Sequence, residues 1–175
     1  MQREIYKASY EEFFGREDLG DMLKSAKKLV KNADRIFFIG NGGSNSIASH
    51  MMEDFGKMLR KKTFAFSDPS LITCYANDYG YERAFAEWLK LYEPSTSDLL
   101  VAISSSGTSR NIINATQQAK DFSCPIITLS GFAESNPLSA MGTINLHVSS
   151  SSYGIVETIH QLFIHMVLDE CDEEN

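Results

Sequence analysis

The sequence predicts an α/β fold built on a parallel sheet with helices on both faces. Three observations carry this. Short runs such as Arg35–Ile39, Leu99–Ile103 and Pro125–Leu129 are almost continuously apolar, as strands buried on both faces are. Segments with helical periodicity separate them. Two of the runs end directly in a glycine- or serine-rich turn followed by a helical pattern, Gly40-Asn-Gly-Gly-Ser44 and Ser104-Ser-Ser-Gly-Thr-Ser109.

Taken in order, residues from about Tyr10 to Val30 read as helical, with Phe13, Leu19, Met22, Leu23 and Leu29 in a broken stripe. Arg35–Ile39 is the first buried strand and Ser44–Leu59 the first long inner helix. A short strand at Thr63–Phe66 precedes Asp68-Pro-Ser70, which is a helix-start signal. Cys74–Tyr81 reads as a polar, aromatic loop before a helix at Arg83–Leu91. Strand Leu99–Ile103, helix Arg110–Lys120, strands Pro125–Leu129 and Ile144–Val148, and a closing helix from Tyr153 to Glu170 complete the pattern.

Composition bounds the function. A chain of 175 residues with 43% apolar and 22% charged residues has enough material for one domain with a sizeable core. Its net charge of −7 argues against a large nucleic-acid surface. The acidic terminus Asp169–Asn175 reads as a frayed, solvated helix end. Cys74, Cys124 and Cys171 have no metal-ligand spacing, and no secretory signal precedes the first charged residues. A reduced, cytoplasmic protein is the simplest expectation. No apolar run approaches the ~18 residues of a membrane span.

Both turns fall at the carboxyl ends of strands, where open parallel sheets bind ligands. Around Ser104, Ser105, Ser106, Thr108 and Ser109, hydroxyls combine with the free N–H groups of a helix start, and together they can hold a phosphate without lysine. A serine-rich N-cap explains one such turn equally well. The equivalent turn at Gly42, Gly43 and Ser44 favours phosphate. Neither is a nucleotide fingerprint, because the Gly-Lys-Ser/Thr end of a Walker loop and the third glycine of a dinucleotide turn are missing.

At ~100° per residue, Ile47, Met51, Phe55 and Met58 share one face of the first inner helix, with Asp54 in its middle, His50 at its edge and Glu53 pointing away. A carboxylate among apolar side chains needs a partner, a metal or a proton. In the closing helix, Glu157, Gln161 and His165 form a polar stripe spaced i, i+4, i+8, and His160 lies on the opposite flank. Two helices thus each offer a histidine and a carboxylate. That set suits either an acid/base pair or a mixed N/O metal site such as zinc.

In this order and spacing, Gly40-Asn-Gly-Gly-Ser44, His50-x-x-x-Asp54, Ser67-Asp-Pro-Ser70, Asn77-Asp-Tyr-Gly80, Ile103-Ser-Ser-Ser-Gly-Thr-Ser109 and Glu157-x-x-His-x-x-x-x-His165 resemble the sugar isomerase (SIS) domain, within it the phosphoheptose isomerase group. The resemblance spans nearly the whole chain. It implies a flavodoxin-like α/β sandwich over 1–175, with a helical oligomerisation region at 1–33 and the α/β core at 34–171. It implies a homotetramer with active sites between subunits, interconversion of sedoheptulose 7-phosphate and a heptose 7-phosphate for surface polysaccharide, and zinc as cofactor. Ser44, Ser104, Ser106 and Ser109, with Ser105 among them, match phosphate-binding positions. Asn41 and Asp78 match sugar contacts. His50, Asp54, Glu157 and His165 match metal ligands, and Asp54 and His165 also match the acid/base pair. Asp54 stands where the family has glutamate, Glu157 where it has glutamine, and Gly154 where it has aspartate. Other SIS proteins act on other phosphosugars, bind them without catalysis, or associate with a replication initiator.

Overall fold

The computed structural model describes residues 1–173. Two helices, α1 (Gln2–Phe14) and α2 (Leu19–Asn32), lead into β1 (Arg35–Gly40), α3 (Gly43–Met58), β2 (Lys62–Ala65), α4 (Pro69–Tyr79) and α5 (Tyr81–Tyr92). Next come β3 (Asp98–Ser104), α6 (Arg110–Asp121), β4 (Ile126–Gly131), a short 3₁₀ turn at Pro137–Ala140, β5 (Ile144–Val148) and α7 (Tyr153–Asp172). The five strands form one sheet in the order β2-β1-β3-β4-β5, and every neighbouring pair is parallel.

Alternation along the strands divides the core between the two faces. Ile36, Phe38, Leu99, Val101, Ile103 and Leu129 pack with α2, α3 and α7. Phe37, Ile39, Leu100 and Ala102 pack with α5 and α6, where the Phe66 ring packs at a tilt against both Phe85 and Trp88. Every residue of β3 and β4 is buried, which is why these strands read as nearly continuous apolar runs. At the amino ends of the strands, Arg35 and Asp98 face each other across β1 and β3. The guanidinium donates to both carboxylate oxygens at 2.8 and 2.7 Å.

Three local expectations are corrected. The N-terminal helical pattern begins at Gln2 rather than near Tyr10, and it is divided into two helices. The Gly15 N–H closes α1 on the Glu11 carbonyl, while Arg16 turns aside to chelate Asp18 and donates to the His147 carbonyl of β5 at 3.1 Å. The α2 helix buries Leu19, Leu23, Ala26 and Val30 in the same cluster as β1 and α7, so its apolar face is already occupied within the chain.

Cys74–Tyr79 is helical rather than a loop. Asp68 caps α4 by accepting from the N–H groups of Ser70 and Leu71, and Pro69 fits the first turn. Tyr75 then packs edge-on against Phe66, so tertiary contact outweighs the weak helix propensity of Asn77 and Asp78. The break falls instead at Gly80, whose φ of +78° suits glycine. Third, Met58 ends α3 exposed rather than completing its apolar face, whereas Glu53 points outward as expected.

The acidic terminus continues α7 through Asp172, with Glu170 on Lys27 at 3.5 Å; Glu174 and Asn175 lie outside the described residues. Among the described residues, no helix is long and apolar enough to cross a membrane.

Candidate active site

The carboxyl ends of β1 and β3 stop at the starts of α3 and α6, and a cleft of about 250 Å³ opens between them. Gly40 permits the tight β1–α3 corner, since a Cβ there would stand 2.5 Å from the Ser44 carbonyl. Gly42 follows at φ +53° and turns the chain into the helix. First-turn N–H groups of a helix have no partner within it, so those of Gly43 and Ser44 are available at this corner. Asn41, Gly42, Gly43, Ser44, Ser104, Ser105, Ser106 and Ser109 all line the cleft.

The hydroxyls there are not equivalent. Ser104 Oγ donates to Ser109 Oγ at 3.2 Å, and Ser106 Oγ accepts from the Thr108 N–H and hydroxyl. Ser105 Oγ is buried and has no partner among the described residues. A buried hydroxyl left unpaired is costly, and a ligand oxygen in the cleft would relieve that cost. Two helix starts and a cluster of hydroxyl donors make this a place for an anion.

Glu157, one turn into α7, also lines this cleft, and its carboxylate lies close against Gly43. It is therefore not with the other three residues matched to metal ligands. His50, Asp54 and His165 come together, each offering a ligand atom within 4.8 Å of the others. His50 Nε2 and Asp54 Oδ2 are 3.0 Å apart, and the two imidazoles meet edge to face at 5.4 Å. The residue of α7 that stands between them is Gln161, with its Nε2 3.0 Å from His50 Nδ1 and 3.3 Å from His165 Nε2. The i, i+4, i+8 stripe contained Gln161 but gave no reason to rank it above Glu157. Only the approach of α3 to α7 separates the two roles.

His50 also borders a more open cleft of about 660 Å³ that includes Glu53, Ser67 and Tyr81 and shares Asn41 and Gly42 with the serine cleft. Asp78 does not line either cleft. The helical course of α4 carries it onto an exposed last turn, where it accepts from the Asn77 side chain at 2.9 Å.

His160 belongs to the scaffold. It is fully buried, its Nε2–H donates to the Ser130 carbonyl at 3.0 Å, and Nδ1 has no partner among the described residues. Burial pushes its pKa down to about 4, against the Ser130 hydrogen bond, and nearby His147 lowers it further. The imidazole is neutral at pH 7 and pins α7 to the end of β4.

Helix starts suited to an anion at the carboxyl edge of a parallel sheet, beside a histidine–carboxylate group, are the arrangement of a phosphometabolite-binding α/β protein. Comparison with known proteins narrows that class. Residues 15–131 match the SIS domain. Phosphoheptose isomerase from Fusobacterium nucleatum is 30% identical over 171 residues, 95% of this chain and 87% of that protein. The phosphoheptose isomerase of Helicobacter pylori strain P12 is 36% identical over 165 residues, 87% of this chain and 84% of that one. The structure of phosphoheptose isomerase GmhA from Neisseria gonorrhoeae superposes with a TM-score of 0.87 at 27% identity, covering 98% of this chain and 96% of that one. The chain belongs to the SIS-domain family, in its phosphoheptose isomerase group.

Proposed function

We propose that the protein is a ketose–aldose isomerase that converts sedoheptulose 7-phosphate to D-glycero-D-manno-heptose 7-phosphate or a close heptose 7-phosphate. The product would supply heptose for surface polysaccharide, in the cytoplasm. The observation that carries this reading is the adjacency of two sites: a serine-lined anion cleft shares Asn41 and Gly42 with an open cleft that reaches His50.

The serine hydroxyls and first-turn N–H groups would hold the phosphate, and that remote binding energy would orient the carbonyl end. Asp54 would take the proton beside the carbonyl, and His165 would carry a proton on the other side of the enediol. Asp54 is one methylene shorter than the family's glutamate, and its contact with His50 holds the carboxylate in a fixed direction.

His50, Asp54 and His165 fit a divalent ion such as zinc, since their mixed N/O donors already converge. When bound, that ion would polarise the substrate carbonyl. The Gln161 amide is placed to orient both imidazoles. Glu157 would meet the phosphate rather than the ion. Homotetramerisation with shared active sites is supported by α1, which leaves Ile5 and Phe14 half exposed.

A proton NMR time course with sedoheptulose 7-phosphate, with and without zinc, tests the reading. An aldose 7-phosphate signal is expected, stronger with zinc. Binding without turnover in both samples would instead indicate a phosphosugar sensor, and full turnover by Asp54→Asn would remove Asp54 as the base.

A further inference from the structure

Asn41 is the residue common to both clefts that carries a side chain, and its amide is held by a network that ends at Tyr81. Asn111, at the start of α6 and only 3% exposed, accepts from the backbone N–H of Ile112 through Oδ1 at 3.1 Å. A backbone N–H can only donate, so this contact fixes which end of the Asn111 amide is oxygen. The reciprocal pair with Asn41 then follows: Asn41 Nδ2 donates to Asn111 Oδ1 at 2.9 Å, and Asn111 Nδ2 donates to Asn41 Oδ1 at 2.8 Å. Asn41 Oδ1 is therefore an acceptor, and the Tyr81 hydroxyl, 2.7 Å away, must give it its proton.

The consequences for the cleft are specific. Asn41 Oδ1 has both acceptor positions filled, and one Nδ2–H is spent on Asn111. One N–H remains free. The Tyr81 oxygen has donated its only hydrogen and is left as an acceptor. Tyr81 is placed there by Gly80, whose φ of +78° starts α5 at the wall of the open cleft, and its ring rests edge-on against Phe85 at 6.2 Å. A free N–H donor beside a pure acceptor matches a hydroxyl, which can accept from one and donate to the other. A hydrogen, a carbonyl or an ether oxygen satisfies at most one of them.

We infer that Tyr81 is a positioning and specificity-determining residue of the sugar site: its hydroxyl locks the Asn41 amide and, with it, reads one hydroxyl group of the phosphosugar. This rests on the isomerase reading above and names how that site recognises its substrate.

The test compares wild type with Tyr81→Phe, which keeps the ring and removes only the oxygen. Turnover and direct binding are measured with sedoheptulose 7-phosphate and its monodeoxy analogues, and binding alone with inorganic phosphate. Tyr81 is about half exposed, so the variant should raise KM for the sugar phosphate about fivefold with kcat within about twofold, the cost of one neutral hydrogen bond. It should also lose most of the wild type's discrimination against one particular monodeoxy analogue, and bind inorganic phosphate as before.

An unchanged KM, or an equal loss of inorganic phosphate affinity, would overturn the inference, the latter because it would mark a merely structural role. If wild type binds the sugar phosphate without turning it over, the isomerase reading fails, and the binding comparison with the analogues still decides the role of Tyr81. Wild type that does not bind the sugar phosphate overturns both.

Discussion

Lowering the pH from 7.5 to 5 should destabilise this protein by about 2 kcal/mol through His160 alone. The folded imidazole has its pKa pushed down to about 4 by burial, while in the unfolded chain it returns to 6.5. Below pH 6.5 the unfolded state takes up a proton that the native state refuses, so stability falls with pH until the native side chain itself titrates near 4. The full window amounts to about 3 kcal/mol, of which about 2 kcal/mol is lost by pH 5. Stopping at pH 5 also keeps clear of carboxylates such as Asp18 and Glu87, whose pKa values are held low by hydrogen bonds from Arg16 and from Arg83 and Lys90. The assay is urea unfolding at a series of pH values, on wild type and on His160→Gln, which retains an N–H for the Ser130 carbonyl. Subtracting the two stability curves isolates His160. Parallel curves between pH 7.5 and 5 would refute the argument, because they would mean that the buried imidazole is protonated without penalty.

Glu157→Gln should bind inorganic phosphate about tenfold more tightly by calorimetry, since it removes a negative charge from the anion cleft; unchanged affinity would mean that the carboxylate leaves the cleft before the anion enters. Removing the buried donor with Ser105→Ala should weaken phosphate binding several-fold while raising or preserving the melting temperature, because its hydroxyl has no partner among the described residues to lose. His165→Ala should lower zinc affinity by at least tenfold in a chelator competition, whereas Glu157→Gln should leave it within about twofold. Gly107→Ala should cost at least about 2 kcal/mol in urea unfolding, because it combines a φ of +64° with a Cβ that collides with the Asn136 amide.

The sheet was readable from the sequence because both its faces are covered. Burial on two sides favours nearly continuous apolar runs, and Ile36–Ile39, Leu99–Ile103 and Ile126–Leu129, interrupted only by Thr128, are such runs. The turns at Gly40–Ser44 and Ser104–Ser109 were readable for a related reason: a helix that starts against the end of a strand needs glycine for clearance and small hydroxyl residues for its free N–H groups. Helix boundaries were less so. Asn77 and Asp78 look like loop residues until Phe66 gives Tyr75 something to pack on.

Sequence alone determined the strand runs, the serine turns and the pairing of His50 with Asp54, because each depends on neighbours at most one helical turn away. The tertiary structure decided which side chains of α7 meet which partner. Glu157 and Gln161 differ by one turn on the same face, and periodicity treats them alike. Where α7 packs along α3, that four-residue rise of about 6 Å puts Glu157 against Gly43 and Gln161 between the two imidazoles. The same holds for Tyr81 and Asn41, 40 residues apart, whose hydrogen bond exists only because α5 and the β1 turn are brought to one edge of the sheet.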